Sequence, residues 1–127
     1  MNVQELRIAN IVLFKEDGIV FNVDGIQFDG LSVYNKEQST WIELDAFQGV
    51  SLTEEWLLKF GAKVNGNSYL LCLPGMRSEL RFGFHENRIA AFIESPESDV
   101  ALYEIKFVHQ LQNLYFALTQ EELIYKN

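Results

Sequence analysis

The chain of 127 residues is poor in several things, and each shortage removes a class of explanation. It has one cysteine, Cys72, so no internal disulfide can form and no pair of thiolates can hold zinc. It has two prolines and eight glycines, too few for a disordered or collagen-like chain. No apolar run approaches the ~20 residues that span a bilayer. The first residues, Met1 to Arg7, lack the basic stretch and apolar core of a signal peptide. The expected compartment is therefore the cytoplasm. Positive charge is also scarce. Ten bases face 18 acids, for a net charge of −8. Nucleic-acid binding draws its affinity from phosphate contacts, so this balance argues against it.

What is present suits a packed domain: 48% of residues are hydrophobic and 13% aromatic, enough for a core without metal or disulfide. The length fits one domain over 1–127. Residues 1–50 read as mainly β, and 51–127 as a helix, a meander and a second helix. Residues 8–14 form one apolar, β-branched run. Asp17-Gly18 then marks a type I′ hairpin turn, with 19–23 as the return strand. Asp24-Gly25 and Asp29-Gly30 read as further turns or bulges. Residues 31–34 and 40–44 alternate as half-buried strands. Such spacing predicts a curled antiparallel sheet of the SH3-like barrel type. The Asp-Gly pairs do not make a calcium loop, because Ile, Val and Phe occupy the positions between them.

Ser51-Leu52-Thr53-Glu54 has the capping-box spacing, with Ser51 as the cap and Gly61 as the left-handed stop. Leu52, Trp56 and Phe60 then share a face that would pack on a sheet. Asn65-Gly66-Asn67 is a turn, 68–73 a strand closed by Pro74-Gly75, and 79–84 an alternating strand. His85-Glu86-Asn87 is a turn, 88–94 a strand, 95–98 a loop and 100–105 a last strand. Cys72 lies in the run Tyr69-Leu70-Leu71-Cys72-Leu73 with no base within four positions, so it reads as a buried hydrophobe. The second helix spans 107–118, with Phe107, Val108, Leu111, Leu114, Tyr115 and Leu118 on its core face. Thr119-Gln120-Glu121-Glu122 repeats the capping spacing and would start a short final element.

Catalytic signatures are missing. The two histidines, His85 and His109, fall in different elements, and no metal, phosphate-loop or nucleophile motif occurs. The residues thus lean away from an enzyme and imply no cofactor or metal. The remaining basic cluster is Arg77, Arg81 and Arg88, with Phe82 or Phe84 as stacking partners for a nucleic acid. Alternation puts Arg81 on the face opposite those rings, which weakens that reading. The more suggestive group lies on the outer face of the second helix, where His109, Gln112, Asn113 and Phe116 place a ring among polar groups. That pattern fits an interface anchor with a polar rim. Two readings of it stand side by side: an exposed contact with a protein partner or a second copy, and a face covered by the domain itself.

Three segments carry a resemblance. Leu52-Thr53-Glu54-Glu55-Trp56-Leu57-Leu58-Lys59-Phe60-Gly61, the stretch Val108-His109-Gln110-Leu111-Gln112-Asn113-Leu114-Tyr115-Phe116-Ala117-Leu118-Thr119, and the shorter Leu6-Arg7-Ile8-Ala9-Asn10 resemble a family of small uncharacterised proteins of Bacteroidetes and their phages or prophages. Where that family's pattern has glycine, this chain has Ala9 and Gln120. The resemblance implies a mobile-element setting and an accessory or host-interacting role, and implies no activity, cofactor or catalytic residue. The expectation is an α+β domain serving as a non-enzymatic protein-binding or adaptor module.

Overall fold

The structure, a computed structural model, describes residues 6–27, 32–37, 39–86, 88–102 and 105–125. Among these residues it is mixed α+β, with eleven strands in three antiparallel sheets, two α-helices and a short 3-10 turn at Leu44–Ala46. Among the described residues no sheet closes into a barrel, so the SH3-like expectation is corrected to open three-stranded sheets. The chain divides into two compact units. One comprises Met1–Ser51 with Phe107–Asn113, the other Leu52–Lys106 with Leu114–Asn127.

In the first unit, β1 (Ile11–Phe14) lies between β2 (Val20–Asn22) and β6 (Phe47–Gly49). A second sheet orders β3 (Gly25–Ile26), β4 (Ser32–Asn35) and β5 (Thr40–Glu43). Both contribute to one core. Val12, Phe21, Val23, Val33, Leu44 and Phe47 are buried together, with Phe14, Ile26 and Ile42 packed against them. Phe14, Phe21 and Phe47 meet edge to face, with centroids 5.7–5.8 Å apart. That geometry aligns ring edges with ring faces, as their quadrupoles favour.

The Asp-Gly signals need correction. Phe14 and Ile19 pair across a four-residue loop in which Gly18 alone takes a positive φ, 72°. A type I′ turn would need two such residues. Asp24-Gly25 is no turn: Gly25 opens β3, and the Asp24 carboxylate accepts the Lys36 N–H at 2.8 Å. Asp29-Gly30 lies outside the described residues, as do Leu31 at the start of the fourth predicted strand and Asn87 in the predicted turn.

The second unit is a meander in sequence order. Its sheet runs β11 (Asp99–Leu102), β10 (Arg88–Glu94), β9 (Glu79–His85), β8 (Ser68–Cys72) and β7 (Lys63–Asn65). Leu71, Leu80, Phe82 and Ala91 are buried on one face. Cys72 is exposed, against expectation, because strand alternation sends it opposite Leu71 and Leu73. Tyr103 and Glu104, which would have extended the last strand, are outside the described residues.

Helix α1 (Glu54–Lys59) corrects the predicted cap. Thr53, not Ser51, accepts the Trp56 N–H. Ser51 is engaged instead in a β-bridge to Phe107. Leu52 consequently precedes the helix, and its most buried residue is Leu57. The stop is as expected. Gly61, with φ 95°, donates to the Leu58 carbonyl while Ala62 donates to Leu57, the two bonds of a Schellman motif. Helix α2 (Val108–Thr119) ends at Gln120, whose N–H reaches the Phe116 carbonyl at 2.7 Å with φ 61°. No further helix or strand is formed over 120–125. The Thr119 hydroxyl, expected to cap a new element, donates back to the Tyr115 carbonyl at 2.8 Å.

Candidate functional site

The polar residues predicted on the outer face of α2 are committed to the first unit. His109 is 1% exposed and Gln112 4%, so these two are not on an open surface; Asn113 and Phe116 are half-buried. The reason lies in β1. Ile11, its first residue, pairs with Asn22, and Gln112 meets the backbone of Ile11 and of Ala9 just before it. The Gln112 Oε1 accepts the Ile11 N–H at 2.8 Å, while its Nε2 donates to the Ala9 carbonyl at 3.2 Å. The Asn113 Oδ1 accepts from Asn10 Nδ2 at 2.8 Å and from Arg7 Nε at 3.2 Å. Arg7 Nη2 also donates to the Gln112 carbonyl. The segment around residues 7–11 and the first turns of α2 therefore meet through side-chain hydrogen bonds.

His109 stacks on Phe107, with centroids 5.7 Å apart and planes 12° from parallel. Gly49 makes room for that stack. A Cβ there would lie 2.7 Å from Phe107 Cδ1 and 3.1 Å from His109 Cε1. A pocket of about 440 Å³ opens beside the stack, with Lys15, Gln48 and Ser51 as its polar walls. Among the described residues no carboxylate lines it.

Of the basic cluster, Arg81 is engaged by acids of its own sheet. Arg81 Nε lies 3.2 Å from Glu94 Oε2, its Nη2 3.9 Å from Asp99 Oδ2, and its guanidinium 5.2 Å from the Phe92 ring centre. The acids and the ring on its own face occupy it. Phe82 is buried, and Arg77 and Arg88 are exposed. Among the described residues no group of three or more His, Cys, Asp or Glu converges as a metal site. No helix among them is long and apolar enough to cross a membrane.

The surface that stands out was not singled out in the sequence. It is the outer face of the β3-β4-β5 sheet. Gly25 faces Tyr34, and Tyr34 faces Trp41, so the three form one row across the sheet. Trp41 is 47% exposed. Its ring centre is 5.2 Å from that of Tyr34, tilted 49°. A Cβ on Gly25 would lie 3.2 Å from Tyr34 Cβ and 3.5 Å from Trp41 Cη2, so the glycine lets both rings lie close over the strand. Gln27, Ser32 and Glu43 form the adjacent row. The signal was in the alternation of 40–44. Trp41 and Glu43 share a parity, and a glutamate marks the solvent face.

Tyr69 and Tyr115 both hold their protons above the usual phenol range. For Tyr69 the main cause is its hydrogen bond to Glu54 Oε2 at 2.5 Å, followed by desolvation and the Glu54 charge. For Tyr115 it is burial, then the charges of Glu121 and Cys72.

Compared with protein-family models, curated proteins and solved structures, the chain matches none of them.

Proposed function

We propose that this protein is a non-enzymatic binding module acting through protein contacts, with the Trp41–Tyr34 face as the contact surface. The observation that carries the reading is the exposed, buttressed tryptophan. Scattered exposed aliphatics such as Val64 and Ile124 are ordinary on a protein surface. A tryptophan held against a tyrosine over a glycine is different. It offers a large apolar area with little side-chain freedom left to lose, the character of an interface hot spot. The resemblance to the Bacteroidetes and phage family supports an adaptor or host-interacting setting for such a module.

The test is affinity capture from a host lysate with the native protein and Trp41→Ala, followed by calorimetry with the purified partner. The expected result is a partner that binds Trp41→Ala at least roughly tenfold more weakly, while circular dichroism and thermal unfolding show the variant folded. A partner that binds both forms equally would move the contact elsewhere. Failure to capture any protein would end the module reading.

A further inference from the structure

Resting on the reading that the Trp41 face makes the contact, we infer that its partner is a basic, extended segment that adds to the free edge of β5 and lays a lysine or arginine over Trp41, toward Glu43. The argument begins with the edge. In the order β3-β4-β5, β5 is terminal, and no described strand pairs with its outer side. Its residues Thr40, Trp41 and Glu43 are exposed. Proteins often blunt such an edge with a short strand, a charged side chain, proline or a bulge, because unpaired backbone groups recruit other chains. Strand β5, four residues long with Glu43 at its end, still presents an exposed ring. Here the edge carries a tryptophan and a glutamate.

Charge then selects the partner. The first unit has eight acids (Glu5, Glu16, Asp17, Asp24, Asp29, Glu37, Glu43 and Asp45) against three bases, Arg7, Lys15 and Lys36. Arg7 is turned to Asn113 and the Gln112 carbonyl. Across the rows Gly25–Tyr34–Trp41 and Gln27–Ser32–Glu43, the one charged side chain is Glu43. A strand added beside β5 places the residue opposite Trp41 on the same face, about 5 Å away, with Glu43 at roughly 7 Å along the diagonal. A lysine or arginine at that position reaches the indole face and the carboxylate together. A carboxylate there would meet the electron-rich ring and a like charge.

The test titrates the isotope-labelled full chain with blocked peptides of about ten residues that alternate threonine with lysine, norleucine or glutamate. The lysine peptide should shift the amides of residues 40–43, and the norleucine peptide should bind roughly tenfold more weakly. Salt at about 0.5 M should weaken the lysine peptide alone. Glu43→Lys, an exposed change that leaves the core untouched, should reverse the preference toward the glutamate peptide. Equal binding of lysine and norleucine peptides would overturn the charge rule. A lysine peptide that leaves the β5 amides unmoved would overturn the inference as a whole. The broader reading is decided separately, by the captured partner's affinity for Trp41→Ala.

Discussion

The second unit pairs every strand with its neighbour in sequence, from Lys63↔Leu70 through Glu94↔Asp99. The first unit pairs Val12 with Phe21 locally but also with Gly49 far along the chain, and ends β1 against a side-chain amide from α2. One half is thus assembled from adjacent hairpins alone, and the other adds long-range closures to its hairpins. Local pairing costs little loop entropy and leaves a written mark in its turns, while distant pairing costs more and leaves none at either strand. The two halves also expose different chemistry. The meander neutralises its central arginine with its own acids, whereas the first unit leaves an aromatic pair and an acid open beside a sheet edge.

Substitutions can sharpen this contrast. The largest effect is expected at Phe82, fully buried in the meander. Phe82→Ala should cost ~3–5 kcal/mol in urea unfolding, and a loss below ~1 kcal/mol would mean that the sheet does not rest on this ring. Next comes Gly49→Ala in the first unit, where the added carbon meets Phe107. It should destabilise by ~1–3 kcal/mol, and Phe107→Leu in the same chain should recover part of that loss. A third pair of changes should act in the opposite direction. Ala9 sits at φ 81° and Gln120 at φ 61°, a backbone region costing an L-residue roughly 1–2 kcal/mol that glycine avoids. Ala9→Gly and Gln120→Gly should each raise stability by ~0.5–1 kcal/mol, after glycine's own entropy is subtracted. Unchanged or lower melting temperatures would show that the surroundings already relieve the strain. The smallest effect is the Tyr69–Glu54 bond. The folded protein holds the Tyr69 proton at higher pH than the unfolded chain does. Its contribution is therefore complete below the ordinary phenol range and lost as pH rises through the raised pKa. Phenolate absorbance should show two late-titrating tyrosines, of which Tyr69→Phe removes one and Glu54→Gln moves that same one back down.

Legibility followed the same divide. The meander was readable because Asn65-Gly66-Asn67, Pro74-Gly75 and residues 95–98 punctuate it, and because α1 carries its own stop at Gly61. Strand β7 was missed because Lys63–Asn65 is three exposed residues with no apolar alternation. Strand β6 was missed for a related reason: its pairing with β1 is visible only in three dimensions. The polar residues on α2 left both an exposed contact and a covered face open, because helical periodicity shows which residues share a face, not what covers it. Trp41 was the reverse case. Its exposure followed from alternation with Glu43, but its rigidity depends on Gly25 and Tyr34, which sequence spacing does not connect. Ala9 and Gln120 are two of the four described non-glycine residues with positive φ, which sequence spacing does not show.

Gln112 serves β1 as a detached peptide group: one oxygen to accept, one nitrogen to donate, held at the right separation by a side chain from elsewhere in the sequence. That substitution of amide for backbone has a chemical weak point. Deamidation to glutamate exchanges a single NH2 for an oxygen, preserves the bond to Ile11, and sets a carboxylate against the Ala9 carbonyl. An ageing reaction that is silent on most surfaces would here turn a donor into a repelling charge at the root of the first sheet.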